Sequence, residues 1–314
     1  MLNGKIKKYN LLLPIVSLLI LFGCPAFAWT VSPVRFDIKG EKGKEYTLTF
    51  AVLNESQLYQ KRFEIQIDDW IIANNNEFLR KAFTKGVENK HSASSWIKVT
   101  PQQFVVPPGE TKNIRFTISV PSNVEVDGDY TTGIFVGEKN IEKPPKGEKI
   151  VHIKQDTFIG VIVYVKIGKE NYDVTLKSLK VESKAVGKGL NKISIFPVYE
   201  NMGNVYSRGQ ILVKVEPTTP LEITETDSRD MPRQVSTTQV KEFNAGEVVV
   251  LRESEVTYPI DLPEPFPENS EWKITVKTDF GDYSPVLVGA KKYKVPLIKL
   301  PKQVEKKEKT QNNQ

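Results

Sequence analysis

From Trp29 onward the apolar residues of this chain recur at every second position, and that period constrains the fold more than any other feature. Tyr46, Leu48, Phe50 and Val52 alternate with Glu45, Thr47, Thr49 and Ala51. Phe63, Ile65 and Ile67 repeat the pattern, as do Ile114, Phe116, Ile118 and Val120, and then Val161, Val163 and Val165. Successive side chains of a strand point to opposite faces, so each run sets one apolar row against a core and leaves the other row to water. The runs are short and are separated by clusters of Pro, Gly and Asn, as turns between antiparallel strands require. Only Asn76 to Val87 breaks the period, and a helical turn or an irregular crossing is expected there. The chain reads as all-β.

Three landmarks occur twice in the same order. Asn54-Glu55-Ser56 ends one alternating run, and Asn201-Met202-Gly203 ends another. Pro108-Gly109-Glu110 opens a segment closing at Val120-Pro121, and Ala245-Gly246-Glu247 opens one closing at Leu262-Pro263. Gly128-Asp129-Tyr130 precedes Ile134-Phe135-Val136 as Ser270-Glu271-Trp272 precedes Ile274-Thr275-Val276. A repeated order of this kind predicts two tandem sandwiches of about seven strands each. The aromatic after each Gly-acid or Ser-acid pair is placed to form a tyrosine corner, which pins a crossover to the backbone upstream. Trp70 and Trp96 sit in or beside alternating runs and are expected in cores. Gly187-Lys188-Gly189 is expected to be a hairpin turn. The charged stretch Lys139 to Lys149, with Pro144-Pro145, is read as a loop inside the first domain, because the strand-like run Ile150 to Ile167 follows it. The predicted layout is a leader over 1–28, domains over 29–168 and 169–301, and a disordered charged tail over 302–314.

The leader has its own logic. Lys5, Lys7 and Lys8 precede an apolar run from Leu11 to Phe22, and Ala26-Phe27-Ala28 follows. The run is shorter than the ~20 residues a membrane-spanning helix needs, and the small residues after it suit a signal peptidase. Cleavage is expected after Ala28, giving a periplasmic or otherwise secreted, envelope-associated protein. Leu21-Phe22-Gly23-Cys24 offers a second route, lipidation of Cys24, which would add a membrane tether. Phe22 is bulky for such a box, so simple secretion is preferred. Removing three leader lysines from a net charge of +6 leaves +3, too little to argue for a nucleic-acid partner. With 1 cysteine in the whole chain, and that one in the leader, stability must come from packed cores. The 39% hydrophobic content, with 15 Phe, 11 Tyr and 4 Trp, is enough to build them.

The sequence carries no reactive constellation. The 2 histidines, His91 and His152, have no metal-ligand spacing. Asp68 and Asp69 fall on opposite faces of a strand and cannot line one cleft. Asp127-Gly128-Asp129 could hold a calcium ion, but acid-Gly-acid is ordinary turn chemistry and no full ligand loop surrounds it. The sequence has no Gly-rich phosphate loop. The expectation is a protein with no catalytic residues, no metal and no cofactor, acting by binding another protein.

The residues then show a resemblance. Val31-Ser32-Pro33-Val34-Arg35-Phe36, Val52-Leu53-Asn54-Glu55-Ser56, Trp96-Ile97-Lys98-Val99-Thr100-Pro101, Val106-Pro107-Pro108-Gly109-Glu110, Ile118-Ser119-Val120-Pro121 and Gly128-Asp129-Tyr130 together resemble the immunoglobulin-like N-terminal domain of periplasmic pilus-assembly chaperones. The resemblance covers about residues 29–168. The chain is also similar to WxL-interacting surface proteins, which imply a cell-envelope scaffold or adhesion module instead. The chaperone resemblance implies two immunoglobulin-like sandwiches and a pilin-like or other surface subunit as partner. It also implies strand donation, in which the last N-domain strand fills a subunit's groove. The matching segment here is 158–167, with Ile159, Val161, Val163 and Val165 entering the partner. By position Arg35 matches the first of two basic residues that bind the subunit's terminal carboxylate, a task a guanidinium suits. The second, a lysine within the last strand, has no match, because Lys154 and Lys166 flank the apolar run. On the residues alone, a plain core strand remains an equal reading of 158–167, since both its faces are apolar.

Overall fold

The computed structural model describes residues 29–139, 157–226, 232–237, 239–281 and 284–297. The expected leader with Cys24, most of the charged loop, His152, Lys154 and the tail lie outside the described residues. The first sandwich contains β1 (Trp29–Ser32), β2 (Arg35–Gly40), β3 (Glu45–Asn54), β4 (Lys61–Asp68), β5 (Trp70–Ile72), β6 (Phe78–Arg80), β7 (Ile97–Thr100), β8 (Gln103–Val106), β9 (Thr111–Ser119), β10 (Gly128–Glu138) and β11 (Phe158–Ile167). One sheet runs β1-β3-β9-β7 and the facing sheet β2-β11-β10-β4-β8. The opening strand changes sheets: β1 pairs antiparallel with β3, and after Pro33 the chain continues as β2, parallel to β11.

The period-two rows meet where alternation says they should. Phe50, Val52, Ile114, Phe116 and Ile118 of one sheet close on Phe63, Ile134, Val136, Val161, Val163 and Val165 of the other. The segment Asn76–Val87 is no helix. It supplies β6, which folds back on β5, followed by turns. A single 3-10 turn occupies Ser94–Trp96.

The second sandwich contains β12 (Val174–Gly187), β13 (Leu190–Asn201), β14 (Ser207–Pro217), β15 (Leu221–Thr226), β16 (Pro232–Thr237), β17 (Lys241–Val250), β18 (Ser254–Thr257), β19 (Ile260–Asp261), β20 (Phe266–Pro267), β21 (Glu271–Asp279) and β22 (Leu287–Lys294). One sheet runs β12-β13-β18, with β19 and β20 also on β13, and the other runs β17-β14-β21-β22. Lys188 and Gly189 both have positive φ (53° and 69°), so the β12–β13 connection is the two-residue hairpin turn that matches strand twist. A separate core fills this sandwich, with Ile193, Ile195, Val213, Val215, Ile274 and Val276 at its centre. The chain is an all-β protein of two immunoglobulin-like sandwiches.

Two of the three repeated landmarks are structurally equivalent. Asn54 and Asn201 each end a strand, buried, with the side chain clamping the following loop. Tyr130 and Trp272 each lie near the start of a strand that pairs centrally in its sheet. Tyr130 Oη donates to the Val126 carbonyl at 2.9 Å, a tyrosine corner, whereas Trp272 Nε1 donates to Ser270 Oγ at 2.7 Å. The remaining landmark was misread. Gly109 turns the chain before β9, but Gly246 sits inside β17, where the register against β14 shifts by a bulge. Both glycines supply positive φ, for different purposes.

Candidate functional site

Among the described residues, strand β11 is sealed along one half and open along the other. Its Ile162–Ile167 half lies between β10 and β2, with Arg35 opposite Ile162 and Gly40 opposite Ile167. Over Phe158–Val161 only β10 pairs with it among the described residues. The Ile162 N–H donates to the Val34 carbonyl, so the even-numbered residues aim their backbone groups toward β2. Phe158 and Gly160 accordingly direct theirs along the open edge.

The side-chain rows correct an expectation. Val161, Val163 and Val165 are 0% exposed and fill the chain's own core. They are not available to enter a partner, because their face is already closed by the opposite sheet. Ile159, last in the row, is only partly buried against that core. The donor reading therefore shrinks from 158–167 to its first four residues.

The other face of β11 is covered too, which explains its apolar residues. Gly133, Gly160 and Gly137 form a floor on which rings lie flat. A Cβ at 133 would stand 2.3 Å from Phe135, one at 160 2.9 Å from Phe135, and one at 137 2.4 Å from Phe158. The Arg80 guanidinium rests 3.6 Å above the Phe135 ring and donates to Asp68 Oδ2 and Gln66 Oε1 on β4. Trp70 stacks on Phe78 at 5.0 Å and meets Tyr164 edge-on. The β5–β6 hairpin thus caps the sheet beside the open edge, and Phe83 stays 67% exposed there. Further along, Tyr206 of the second sandwich stacks on Tyr164 at 3.8 Å.

Arg35 opens β2 on this outer face. Its Nε lies 3.1 Å from Asp37 Oδ2, and Asp37 also accepts a hydrogen bond from the Tyr206 hydroxyl. Burial, and then that hydrogen bond, raises the Tyr206 pKa, so the phenol stays a donor. Lys166 shares the face but lies four residues beyond the partner of Arg35, about 13 Å along the strand. Its ammonium donates to Tyr172 Oη and lies 3.8 Å from Glu170. The two cations do not converge on one carboxylate.

The remaining candidates have structural roles. Asp68 holds Arg80, while Asp69 accepts from Ser92 Oγ at 2.6 Å. In the Asp127-Gly128-Asp129 turn both carboxylates accept backbone N–H groups from beyond the first sandwich, Asp127 from Lys169 and Asp129 from Tyr206. No group of three or more His, Cys, Asp or Glu side chains suited to a metal occurs among the described residues. None of these described residues forms a helix long and apolar enough to cross a membrane. Sequence reasoning missed Tyr206, Arg208 and Arg252, the second-domain residues at the junction. The signal available was the double-sided apolarity of Phe158–Val165, which demands a cover on each face.

Fold and edge together define a class: a two-sandwich, all-β protein with one strand half open to pairing. No protein-family model matches the chain, and no curated protein matches it. Among solved structures it is similar to a chaperone–tip adhesin complex of CFA/I fimbriae biogenesis, at 15% identity and a TM-score of 0.39, covering 86% of this chain and 99% of that one. It is similar to the class 5 fimbriae chaperone CfaA, at 14% identity and a TM-score of 0.37, covering 86% and 100%. A third is the CsuC–CsuE chaperone–tip adhesion subunit pre-assembly complex of Acinetobacter baumannii, at 12% identity and a TM-score of 0.35, covering 74% and 89%.

Proposed function

We propose that this protein is an exported, non-catalytic, chaperone-like factor that holds a subunit of a pilus or another surface structure in the cell envelope. The observation that carries the reading is the edge of β11 at Phe158–Val161, which is open among the described residues and ends where β2 begins. An unpaired strand edge is a template for another strand, and native proteins usually cover or blunt it. Here the edge lies beside the exposed Phe83, and in sequence it comes after the charged stretch 139–149. A subunit strand running parallel to β11 would pair with Phe158 and Gly160 and end facing Arg35. The guanidinium would then meet a terminal carboxylate in exchange for Asp37. Ile159 supplies the one side chain of the buried row that a subunit could also cover. The motifs of residues 29–130 that resemble pilus-assembly chaperones point to the same partner.

Amide exchange tests the reading directly. On co-expression with a small surface subunit encoded near this gene, the Phe158 and Gly160 amides are expected to gain protection on complex formation. Ile159→Asp is expected to weaken capture at least ~10-fold with less loss of fold than a change deeper in the row, since the site is only partly buried at the margin of the core. Arg35→Ala is expected to weaken it less. Stable capture with unchanged exchange at Phe158 and Gly160 would remove strand pairing from the account.

A further inference from the structure

The junction between the sandwiches is built on one buried carboxyl group. Asp129 is 1% exposed and sits near the start of β10. Its Oδ2 accepts the Tyr206 N–H at 2.6 Å, its own N–H donates to the Asn204 carbonyl at 2.9 Å, and its carbonyl accepts from Arg252 at 3.2 Å. All three partners belong to the second sandwich. Gly128 brings the strands this close: a Cβ there would stand 2.2 Å from the Asn204 carbonyl oxygen. Alongside lies a cavity of about 240 Å³, lined by residues of both sandwiches that include Trp70, His91, Asp129, Arg252 and Glu253. Among the described residues Asp129 Oδ1, Arg252 Nε and Trp70 Nε1 are buried without a hydrogen-bond partner. One oxygen of the carboxyl thus has no donor among the described residues, and the Arg252 guanidinium is shared with the neighbouring Glu253 at 3.0 Å.

We propose that the joint is a proton-operated clasp whose sensing group is Asp129: the neutral carboxyl locks the two sandwiches together, and the ionised carboxylate loosens them and frees the angle between them.

The groups that face Asp129 set the sign. From β11 come Lys166 and Tyr164. From the second sandwich come Tyr206, Arg252 and Glu253. From the connection before β7 comes His91, with Glu88 and Lys90 at the cavity rim. Burial dominates and pushes the Asp129 pKa up to about 6, against the Tyr206 N–H, Arg252 and Lys166, which favour the charged form. A raised acid pKa means that docking takes up a proton. The stabilisation is complete below the ordinary value of 3.8 and is lost as pH rises through about 6. The docked-to-loose ratio then falls roughly 100-fold between acid and mildly alkaline pH. His91 acts in the opposite sense. Burial and Arg252 lower its pKa, against Glu253, so its contribution is complete above 6.5 and is lost as pH falls through the lowered value. Between 3.8 and 6.5 the two dependences run in opposite directions and partly cancel, so the Asp129 effect stands alone only with His91 replaced.

The clasp is measured on the whole chain, with spin labels at Lys98→Cys and Lys273→Cys in a Cys24→Ser background. In a His91→Gln background the expected result is a narrow distance distribution at pH 4 that broadens at pH 7, and stays narrow at both in Asp129→Asn. That variant keeps an acceptor for the Tyr206 N–H but cannot ionise. Identical distributions at pH 4 and 7, or equal broadening in Asp129→Asn, overturn the clasp. Carbon-13 titration of the Asp129 carboxyl in the otherwise unaltered protein decides independently of any variant that misfolds. A midpoint near 6 that coincides with the broadening supports the clasp, and a midpoint near 3.8 overturns it.

Discussion

Val163→Asp is expected to unfold the first sandwich outright. Val163 is 0% exposed in the middle of β11, between β10 and β2, and its side chain faces a wholly apolar core. An aspartate there must either carry an unpaired charge into that core or take up a proton, and it then presents two oxygens with no donor nearby. The expected cost exceeds ~4 kcal/mol, a large share of the ~5–15 kcal/mol that holds a domain together. Val163→Thr keeps the shape and adds one hydroxyl, at a cost on the order of 1–3 kcal/mol. Urea unfolding followed by near-ultraviolet dichroism distinguishes them: the aspartate variant lacks the first-domain transition, and the threonine variant shows it at lower urea. A Val163→Asp chain that unfolds like the unsubstituted one would refute the inward assignment of the whole row. The same logic makes Val163 a poor probe of partner binding, because any loss would report unfolding, and makes Ile159 the informative position.

The second large effect belongs to the paired asparagines. Asn54 Nδ2 donates to the carbonyls of Tyr59, Val106 and Pro107 at 2.8–3.1 Å, and its Oδ1 accepts the Ser56 N–H. Asn201 Nδ2 donates to the carbonyls of Val205 and Val250, and its Oδ1 accepts the Gly203 N–H at 2.8 Å. Each side chain thus holds a loop against the end of a later strand while buried almost completely. Truncation to alanine strands several buried backbone groups, each costing about 1–3 kcal/mol before relaxation. A net loss of roughly 3 kcal/mol corresponds to a fall of at least about 10 °C in the melting temperature of a domain this size. Calorimetry should show Asn54→Ala lowering only the first-domain transition and Asn201→Ala only the second. If either variant shifts both transitions equally, the clamps are not local to their sandwiches.

These residues also show what the sequence could reveal. The strands were legible because alternation is a local signal: each run reports its own two faces. The asparagines were legible because a polar residue ending an apolar run has to satisfy buried backbone, and the same solution recurs in both halves. Tyr130 was legible for a similar reason. What escaped depends on contacts between distant segments. Alternation tells that Val161, Val163 and Val165 share a row, but not whose core the row fills. The parallel pairing of β2 with β11 joins segments more than 120 residues apart and leaves no local mark. Asp127-Gly128-Asp129 has the composition of an exposed turn, and only the partners on the second sandwich, 77 positions away for Tyr206, turn it into a buried joint. Ala245-Gly246-Glu247 matched the opening of a segment because the positive φ that a glycine supplies serves a bulge inside a strand as well as a strand's start.

The short reach of the open edge has a quantitative corollary for any client. Two residues, Phe158 and Gly160, offer at most four backbone hydrogen bonds, worth together roughly 2–6 kcal/mol. Immobilising a second molecule costs about 4 kcal/mol or more, so main-chain pairing along this stretch gives a grip no better than millimolar. Main-chain atoms are the same in every polypeptide and cannot tell one client from the next. Affinity and choice must therefore both come from side chains, and a client whose apolar groups are already buried gains almost nothing by staying.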